Sequence, residues 1–224
     1  MILLNIQFFG GRGASIPTAT PSGGGGEPGD MDAKPGSAKT LNEALGTQGR
    51  AMSDARAVLG ANPFYDNRYD EYSFNCQRCA IATEARKRGY DVVALPTYNE
   101  DSFPVNNQYI KESFKNPNIM EVGRTTQART QRAVEQQMKQ FGDGSRAVLA
   151  VQWANGGGHA INLVQKNGKT QFYDGQTGKR YKANEFFKQI KTGKANTRLT
   201  RVDNLEFADG AKEALRQNPL NKRK

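Results

Sequence analysis

Residues 75–89 read NCQRCAIATEARKRG, and this stretch predicts a helix with a cysteine at its first position. Asn75 is a favourable N-cap residue, the residues after it are mostly good helix formers, and Gly89 suits the position just past a helix C-terminus. Cys76 is therefore expected in the first turn, where free backbone N–H groups and the helix dipole stabilise a thiolate. Cys79 lies one turn further in and is expected to pack as a small apolar residue.

Residues 158–178 read GHAINLVQKNGKTQFYDGQTG and predict a β-hairpin. Asn167-Gly168 is a dipeptide typical of a two-residue hairpin turn, and a strand-like run stands on either side of it. Such a turn places Lys166 opposite Lys169 and so fixes which residues pair along both strands. The hairpin follows a glycine run at 156–158, where the absence of side chains lets a substrate backbone approach closely.

His159, the only histidine of the chain, opens this hairpin. Counting back from the turn puts His159 opposite Gln176 and makes Asp174 its diagonal neighbour on the same face. Either side chain could fix the tautomer of the imidazole, provided that no bulge at Gly175 changes the register. A lone histidine at a strand start is more often structural than catalytic, and its combination with Cys76 is what favours catalysis.

The remaining elements complete a pattern of helices followed by strands. Thr40 and Glu43 form a capping-box pattern at the start of a helix that is expected to reach about Leu59. Pro63 excludes its continuation past Asn62. The other expected elements are a strand over 92–95, a loop-rich stretch over 97–122, a helix ended by Gly142, a strand over 147–151, a helix around 186–190 and a strand near 199–202. This order predicts an α+β fold.

The composition predicts one domain with tails for the 224 residues. Hydrophobic residues make up 36% of the chain and its mean hydropathy is −0.76, so part of it is expected to stay unpacked. Residues 10–36 are mostly Gly, Pro, Ser, Thr and Ala and indicate a flexible linker. The predicted organisation is a flexible segment over 1–38, a helical arm over 39–62, the main domain over 63–208 and a basic tail over 209–224.

Lys and Arg number 32 against 22 Asp and Glu, which gives a net charge of +10. This excess permits binding to nucleic acid or to an acidic surface. The basic residues are spread along the sequence, with short runs at 86–88, 179–180 and 222–224, and no DNA- or RNA-binding motif frames them. A solvated basic surface is the preferred interpretation, and nucleic acid is kept as an alternative partner.

Two cysteines three positions apart do not make a disulfide framework for a chain of this size, so the fold is expected to stand without one. Zinc needs four ligands, whereas two cysteines and one histidine supply three; no metal and no other cofactor is expected. A thioredoxin-like redox role would place the cysteine pair after a first strand, and the sequence predicts none there.

The first eleven residues, MILLNIQFFGG, are apolar but do not form a convincing secretory signal. Asn5 and Gln7 interrupt the apolar run, and no basic residue precedes it. No later stretch is long enough for a transmembrane helix, so the protein is expected to have no membrane span. This segment is expected to dock on a partner, to be removed or to remain a disordered end.

Several short motifs together resemble the papain-fold toxin family, described as glutamine deamidase-like. They are NCQRCA at 75–80, RKRGYDV at 86–92, ALP at 94–96, GHA at 158–160 and DGQTG at 174–178, in the order of the family. The resemblance covers about residues 70 to 180. It implies a papain-like cysteine hydrolase fold whose N-terminal catalytic helix packs on an antiparallel sheet. It also implies Cys76 as nucleophile, His159 as base and Asp174 as orienting group, with Gln176 in the motif.

On this resemblance, the expected activity is that of a protein-glutamine deamidase-like effector acting on a protein of a host or a virion. Cys76 would attack an amide carbon as a thiolate, His159 would protonate the leaving ammonia or amine, and water would hydrolyse the thioester. Peptide cleavage and transamidation share this chemistry, so a papain-like protease stays an alternative. The backbone N–H of Cys76 is a natural oxyanion donor, while Asp70 stands where papain-like enzymes carry a glutamine.

The opening segment, with LNIQFFGGRG at 4–13, is similar to the starts of bacteriophage head and structural proteins. This similarity suggests a phage-encoded protein located in the virion or the host cytoplasm, with phage head proteins as partners. The alternative from another class is a structural or DNA-contacting virion component that has kept the fold without needing catalysis.

Overall fold

A six-stranded antiparallel sheet organises the computed structural model, which describes residues 38–65, 70–98 and 107–221. The helices are α1 (Leu41–Leu45), α2 (Asp54–Leu59), α3 (Cys76–Lys87), α4 (Gln108–Ser113), α5 (Gln127–Phe141) and α6 (Ala183–Phe187). The strands are β1 (Val92–Ala94), β2 (Ile119–Glu121), β3 (Arg146–Gln152), β4 (Gly158–Lys166), β5 (Lys169–Asp174), β6 (Lys179–Tyr181), β7 (Thr197–Arg201) and β8 (Leu215–Gln217). The sheet order is β2-β7-β3-β4-β5-β6, and β1 pairs separately with β8.

The larger sheet carries α3 on one face and α5 with α6 on the other. Side chains alternate between the two faces as the pleat of a strand requires. Val148 and Ala160 belong to the apolar cluster around α3, while their neighbours Leu149 and Ile161 belong to the cluster under α5 and α6. The arrangement is α+β, as the order of elements predicts.

Helix α3 forms where the sequence predicts it and ends as expected at glycine. Gly89 has φ 99°, a conformation that side chains rarely adopt. A Cβ atom on Gly89 would also lie 2.2 Å from the carbonyl oxygen of Gly49. The helix is tied to the sheet by Asn162 in β4, whose side-chain amide donates to the carbonyl of Ala80 at 3.0 Å. Its first residue is thereby held at one end of the sheet.

The β4–β5 hairpin has the predicted turn and register. Asn167 and Gly168 have φ values of 51° and 71°, as a type I′ turn requires. Lys166 pairs with Lys169, and the regular pairing continues to Asn162 opposite Tyr173. Past Asp174 the chain turns and returns as β6, which pairs with β5 on its other side. Residues 175–178 therefore form a turn rather than a continued partner for the start of β4.

The predicted helix from Thr40 to Leu59 is wrong in its length. The capping box of Thr40 and Glu43 forms, but α1 ends at Leu45 and a separate helix, α2, begins at Asp54. Gly46 breaks the pattern because its φ is 67°. The loop-rich stretch over 97–122 contains α4 and β2, and its residues 99–106 lie outside the described residues.

The predicted basic tail over 209–224 is folded as far as residue 221. Strand β8 pairs with β1, placing Val93 opposite Arg216. Ala211, Ala214 and Leu215 are fully buried in the cluster around α3. This segment belongs to the core because its apolar residues cover a face of α3 that would otherwise meet water. The predicted linker at 10–36 lies outside the described residues.

Candidate active site

Cys76 is the first residue of α3 and is largely buried, with 8% of its surface exposed. Backbone N–H groups at a helix start lack intrahelical partners, and together with the helix dipole they favour a negative charge nearby. Asn75 occupies the N-cap position, but its side chain makes no hydrogen bond to the helix start. The positive end of α3 is thus available to a Cys76 thiolate.

His159 at the start of β4 and Asp174 at the end of β5 are both buried and face each other. Nε2 of His159 lies 3.0 Å from Oδ2 of Asp174. The side chain of Cys76 lies close enough to the same imidazole to raise its pKa. Because Asp174 takes Nε2, Nδ1 is the ring nitrogen left for the sulfur. The imidazole therefore stands between a thiol and a carboxylate, the order that an activated cysteine nucleophile requires.

Burial and charge act on His159 in opposite directions. Burial of the ring lowers its pKa, whereas the charge and hydrogen bond of Asp174 and the neighbouring Cys76 raise it; the net effect raises the pKa of His159 to about 10. The ring is therefore protonated at neutral pH. A protonated imidazole beside a cysteine sulfur is the arrangement found in cysteine nucleophiles that are paired with histidine.

Asp174 is fully buried and surrounded by hydrogen-bond donors. Oδ1 accepts from the backbone N–H of Gln176 at 2.9 Å, and Oδ2 accepts from the hydroxyls of Thr177 at 2.8 Å and Tyr181 at 3.2 Å. Burial raises its pKa, but the charge and hydrogen bond of His159, with the Thr177 and Gln176 donors, hold the pKa of Asp174 below its ordinary value. The carboxylate stays charged and is fixed in orientation.

Gln176, the sequence alternative to Asp174 as the partner of His159, has a different contact. Its side chain is buried, and Nε2 donates to Oδ1 of Asn75 at 3.3 Å. This bond joins the turn after Asp174 to the residue that precedes Cys76. The structure places Cys76, His159 and Asp174 together. The side chain of Gln176 contacts Asn75 and not His159.

The side chain of Asn75 hydrogen-bonds to four other residues of this region, a role that the sequence does not reveal. Its Oδ1 accepts from Asn62 Nδ2 at 3.3 Å and from the Cys79 thiol at 3.0 Å, in addition to Gln176. Its Nδ2 donates to the carbonyl of Leu95 at 3.0 Å. An N-cap asparagine is expected to bond its own helix, so only the three-dimensional structure shows these distant partners.

Cys79 packs inside the domain as expected. It is fully buried, and this burial, followed by the nearby Cys76 and Asp174 charges, raises the pKa of Cys79 well above its ordinary value. A thiol that stays protonated is a hydrogen-bond donor and a poor nucleophile. The two cysteines are therefore clearly different in their surroundings.

Trp153 is a neighbour of the site that sequence reasoning missed. Its ring stacks on His159 with centroids 5.8 Å apart and an angle of 26° between the planes. The glycine run after it forms the turn from β3 to β4, with Gly156 and Gly157 at φ 103° and 75°. A tryptophan directly before such a turn, with the histidine directly after it, is the signal that could have placed the two rings together.

Two further properties concern the described part of the chain, residues 38–65, 70–98 and 107–221. No three or more His, Cys, Asp or Glu side chains there are grouped so that they could hold a metal ion. No helix there is long and apolar enough to cross a membrane. The side chain of Asp70, which stands at the position of the papain-like glutamine, lies outside the described side chains.

Comparison with known proteins gives one match. Residues 74–179 match the model of the family described as papain fold toxin 1, glutamine deamidase. No curated protein and no solved structure matches the chain. The matched span begins just before α3, ends at the start of β6, and contains Cys76, His159, Asp174 and Gln176. Residues 74–179 are therefore similar to a papain-fold toxin, glutamine deamidase domain.

Proposed function

We propose that this protein deamidates a glutamine side chain of a protein, with Cys76 as nucleophile, His159 as general acid and base, and Asp174 as the group that orients His159. The observation that carries the proposal is the buried His159–Asp174 contact of 3.0 Å with Cys76 beside the same ring. The match of residues 74–179 to a glutamine deamidase family supports the choice of reaction.

The first half of the reaction forms a thioester. The Cys76 thiolate attacks the side-chain carbonyl carbon of the glutamine, and the carbonyl oxygen takes the negative charge. The backbone N–H of Cys76, at the positive end of α3, is placed to stabilise that oxyanion. As the tetrahedral adduct collapses, the C–N bond breaks, and the nitrogen takes a proton from the His159 imidazolium and leaves as ammonia.

The second half restores the enzyme. Neutral His159 now accepts a proton from a water molecule that attacks the thioester carbon. The C–S bond breaks, Cys76 leaves as a thiolate beside the protonated ring, and the product is a glutamate. Asp174 keeps its charge throughout, since its buried donors hold it ionised and fix the ring during both proton transfers.

The test uses the full chain with a panel of glutamine-containing proteins and peptides. We expect release of ammonia together with a glutamine-to-glutamate mass change, and no new chain ends. Cys76→Ala should abolish both signals, while Cys79→Ala, the matched control, should keep them. Peptide-bond cleavage that depends on Cys76 would assign the site to a protease instead, and ammonia release that needs an added amine, without glutamate, would assign it to transamidation.

We also propose that the protein is a phage-encoded effector, supported by the similarity of residues 4–13 to phage structural proteins. These residues lie outside the described part of the chain. Mass spectrometry of purified phage particles tests the idea, because an effector delivered with the virion must be found there. Its absence from particles, with synthesis in infected cells, would place its action in the host cytoplasm without packaging.

A further inference from the structure

We propose that an exposed basic face beside the active site binds an acidic surface of the protein substrate and so selects which glutamine reaches Cys76. The basic face consists of residues 124–132 and 182–194, which form the start of α5, helix α6 and the segment after it. The proposal rests on the proposed deamidase function, because it names the substrate class of that site.

The basic face concentrates charge that is dispersed in the sequence. Its two segments hold seven Lys or Arg residues and one acidic residue, a net of +6 out of the +10 of the whole chain. The cations are Arg124, Arg129, Arg132, Lys182, Lys188, Lys191 and Lys194, and all seven are exposed. Folding therefore gathers most of the net positive charge on one surface.

The cations of the basic face have few acidic partners. Within the described residues, Lys182 is the only one of the seven with an ion pair, 3.5 Å from Glu185. In contrast, the buried Glu84 binds both Arg88 and Arg146, at 2.7 Å each. Positive side chains without an acidic partner are available to attract an external anion.

The backbone places this face directly against the candidate site. Trp153, which stacks on His159, forms a bridge with Ile190 in the middle of the basic segment. The backbone N–H of Lys191 donates to the carbonyl of Gln152 at 2.8 Å, and that of Ala154 donates to Gln189 at 2.9 Å. A protein held by Lys188 and Lys191 therefore lies next to the residues that surround the imidazole.

The start of α5 extends the same surface. The side chain of Gln127 donates to the carbonyl of Ile190, and the backbone N–H of Gly193 donates to the carbonyl of Arg124 at 2.8 Å. These bonds make α5 and the 188–194 segment one continuous surface. An acidic protein fits this surface better than other polyanions. The proposed reaction needs a glutamine carboxamide on the same molecule that carries the negative charge.

The experiment compares two charge-reversal variants in a Cys76→Ala background, so that binding is measured without turnover. K188E/K191E alters the basic face, and K166E/K169E alters the exposed tip of the β4–β5 hairpin by the same four charges. The probes are two labelled peptides around one glutamine, acidic in one and neutral in the other. We expect the parent and K166E/K169E to bind the acidic peptide at least about tenfold more tightly, and K188E/K191E to lose this preference.

Three results would overturn the proposal: equal binding of the two peptides by the parent, an equal loss in both reversal variants, or tighter binding of duplex DNA that displaces the acidic peptide. Turnover of both peptides by the chain with Cys76 intact is measured separately. Charge-dependent binding without deamidation of any peptide would overturn the proposed function and leave the basic face as a docking surface for acidic proteins.

Discussion

Asp174 is the residue whose charge matters most to His159. Burial alone lowers the pKa of the ring, and the carboxylate reverses that effect. In Asp174→Asn we expect a neutral imidazole at pH 7, with kcat/KM lower by roughly 10³- to 10⁴-fold. Iodoacetamide alkylation of Cys76, followed from about pH 5 to 9 in wild type and Asp174→Asn, should be slower in the variant. Asp143→Asn, on an exposed loop, is the matched control and should change neither measurement.

The contact of His159 with Asp174 makes the free energy of unfolding depend on pH. The pKa of His159 is about 10 in the folded protein against an ordinary value of 6.5, so between these values the folded state keeps a proton that the unfolded state has lost. This contribution is full below about pH 6.5 and is lost as pH rises toward about 10. Urea titrations should show the stability of the wild type falling toward that of His159→Gln across this window; a constant difference would contradict the assignment.

The three candidate site residues could be predicted because each follows from a local signal. Cys76 follows a good N-cap, and counting from the Asn-Gly turn brings His159 and Asp174 to the same end of the hairpin. The regular pairing of β4 with β5 stops at Asn162 and Tyr173, so the expected position of Gln176 opposite His159 is wrong. Asn75 could not be placed in this way. Its partners come from other parts of the chain, such as Asn62 and Gln176, and a propensity argument contains no information on such contacts.

Helix α3 and the turn after β5 approach each other so closely that one position must be glycine. A Cβ atom on Gly175 would lie 2.2 Å from Oγ1 of Thr83 and 3.0 Å from the carbonyl oxygen of Cys79. We expect Gly175→Ala to lower the free energy of unfolding by about 2–4 kcal/mol and to slow the alkylation of Cys76, because the Asp174 turn must move away from α3.

A second substitution tests whether the clash between the turn and α3 causes this loss of stability. Thr83→Ala removes the nearest clashing atom, so the Gly175→Ala/Thr83→Ala double variant should recover about 1 kcal/mol or more relative to additivity. Gly49→Ala, where the nearest contact is an ordinary 3.5 Å, serves as the control for glycine replacement. Strict additivity of the two changes would show that packing between α3 and the turn is not the reason for the glycine.

The stability of the whole molecule depends on the segment that begins at residue 209, although the sequence suggests that this segment is a tail. Deleting residues 209–224 removes β8 and three fully buried residues, Ala211, Ala214 and Leu215. We expect this deletion to lower the Tm by at least about 10 °C or to abolish cooperative unfolding, since an apolar face of the α3 layer becomes exposed. Deletion of 222–224 alone should leave Tm unchanged in the same thermal scan.

The fold class could be predicted from the sequence, but the pairing of β1 with β8 could not. The succession of helices and strands indicates α+β, and the β3-β4-β5-β6 order follows from consecutive hairpins. Strand β7 instead lies between β2 and β3, at the other side of the sheet from β6. The β1–β8 pairing joins strands of three residues that are separated by more than a hundred positions, from Val92 to Gln217. Such short strands carry almost no periodic signal, and the charges around β8 resemble those of a solvated tail.

The order of the site residues along the chain has a consequence for biosynthesis. Cys76 precedes His159 by 83 positions, and β3, β4 and β5 must pair before the imidazole and its carboxylate exist as a unit. At about 5–20 residues per second, a ribosome exposes the cysteine for several seconds before it delivers the base. Throughout that interval the nascent chain lacks the imidazole and its carboxylate, so the proposed reaction cannot begin until the sheet has formed.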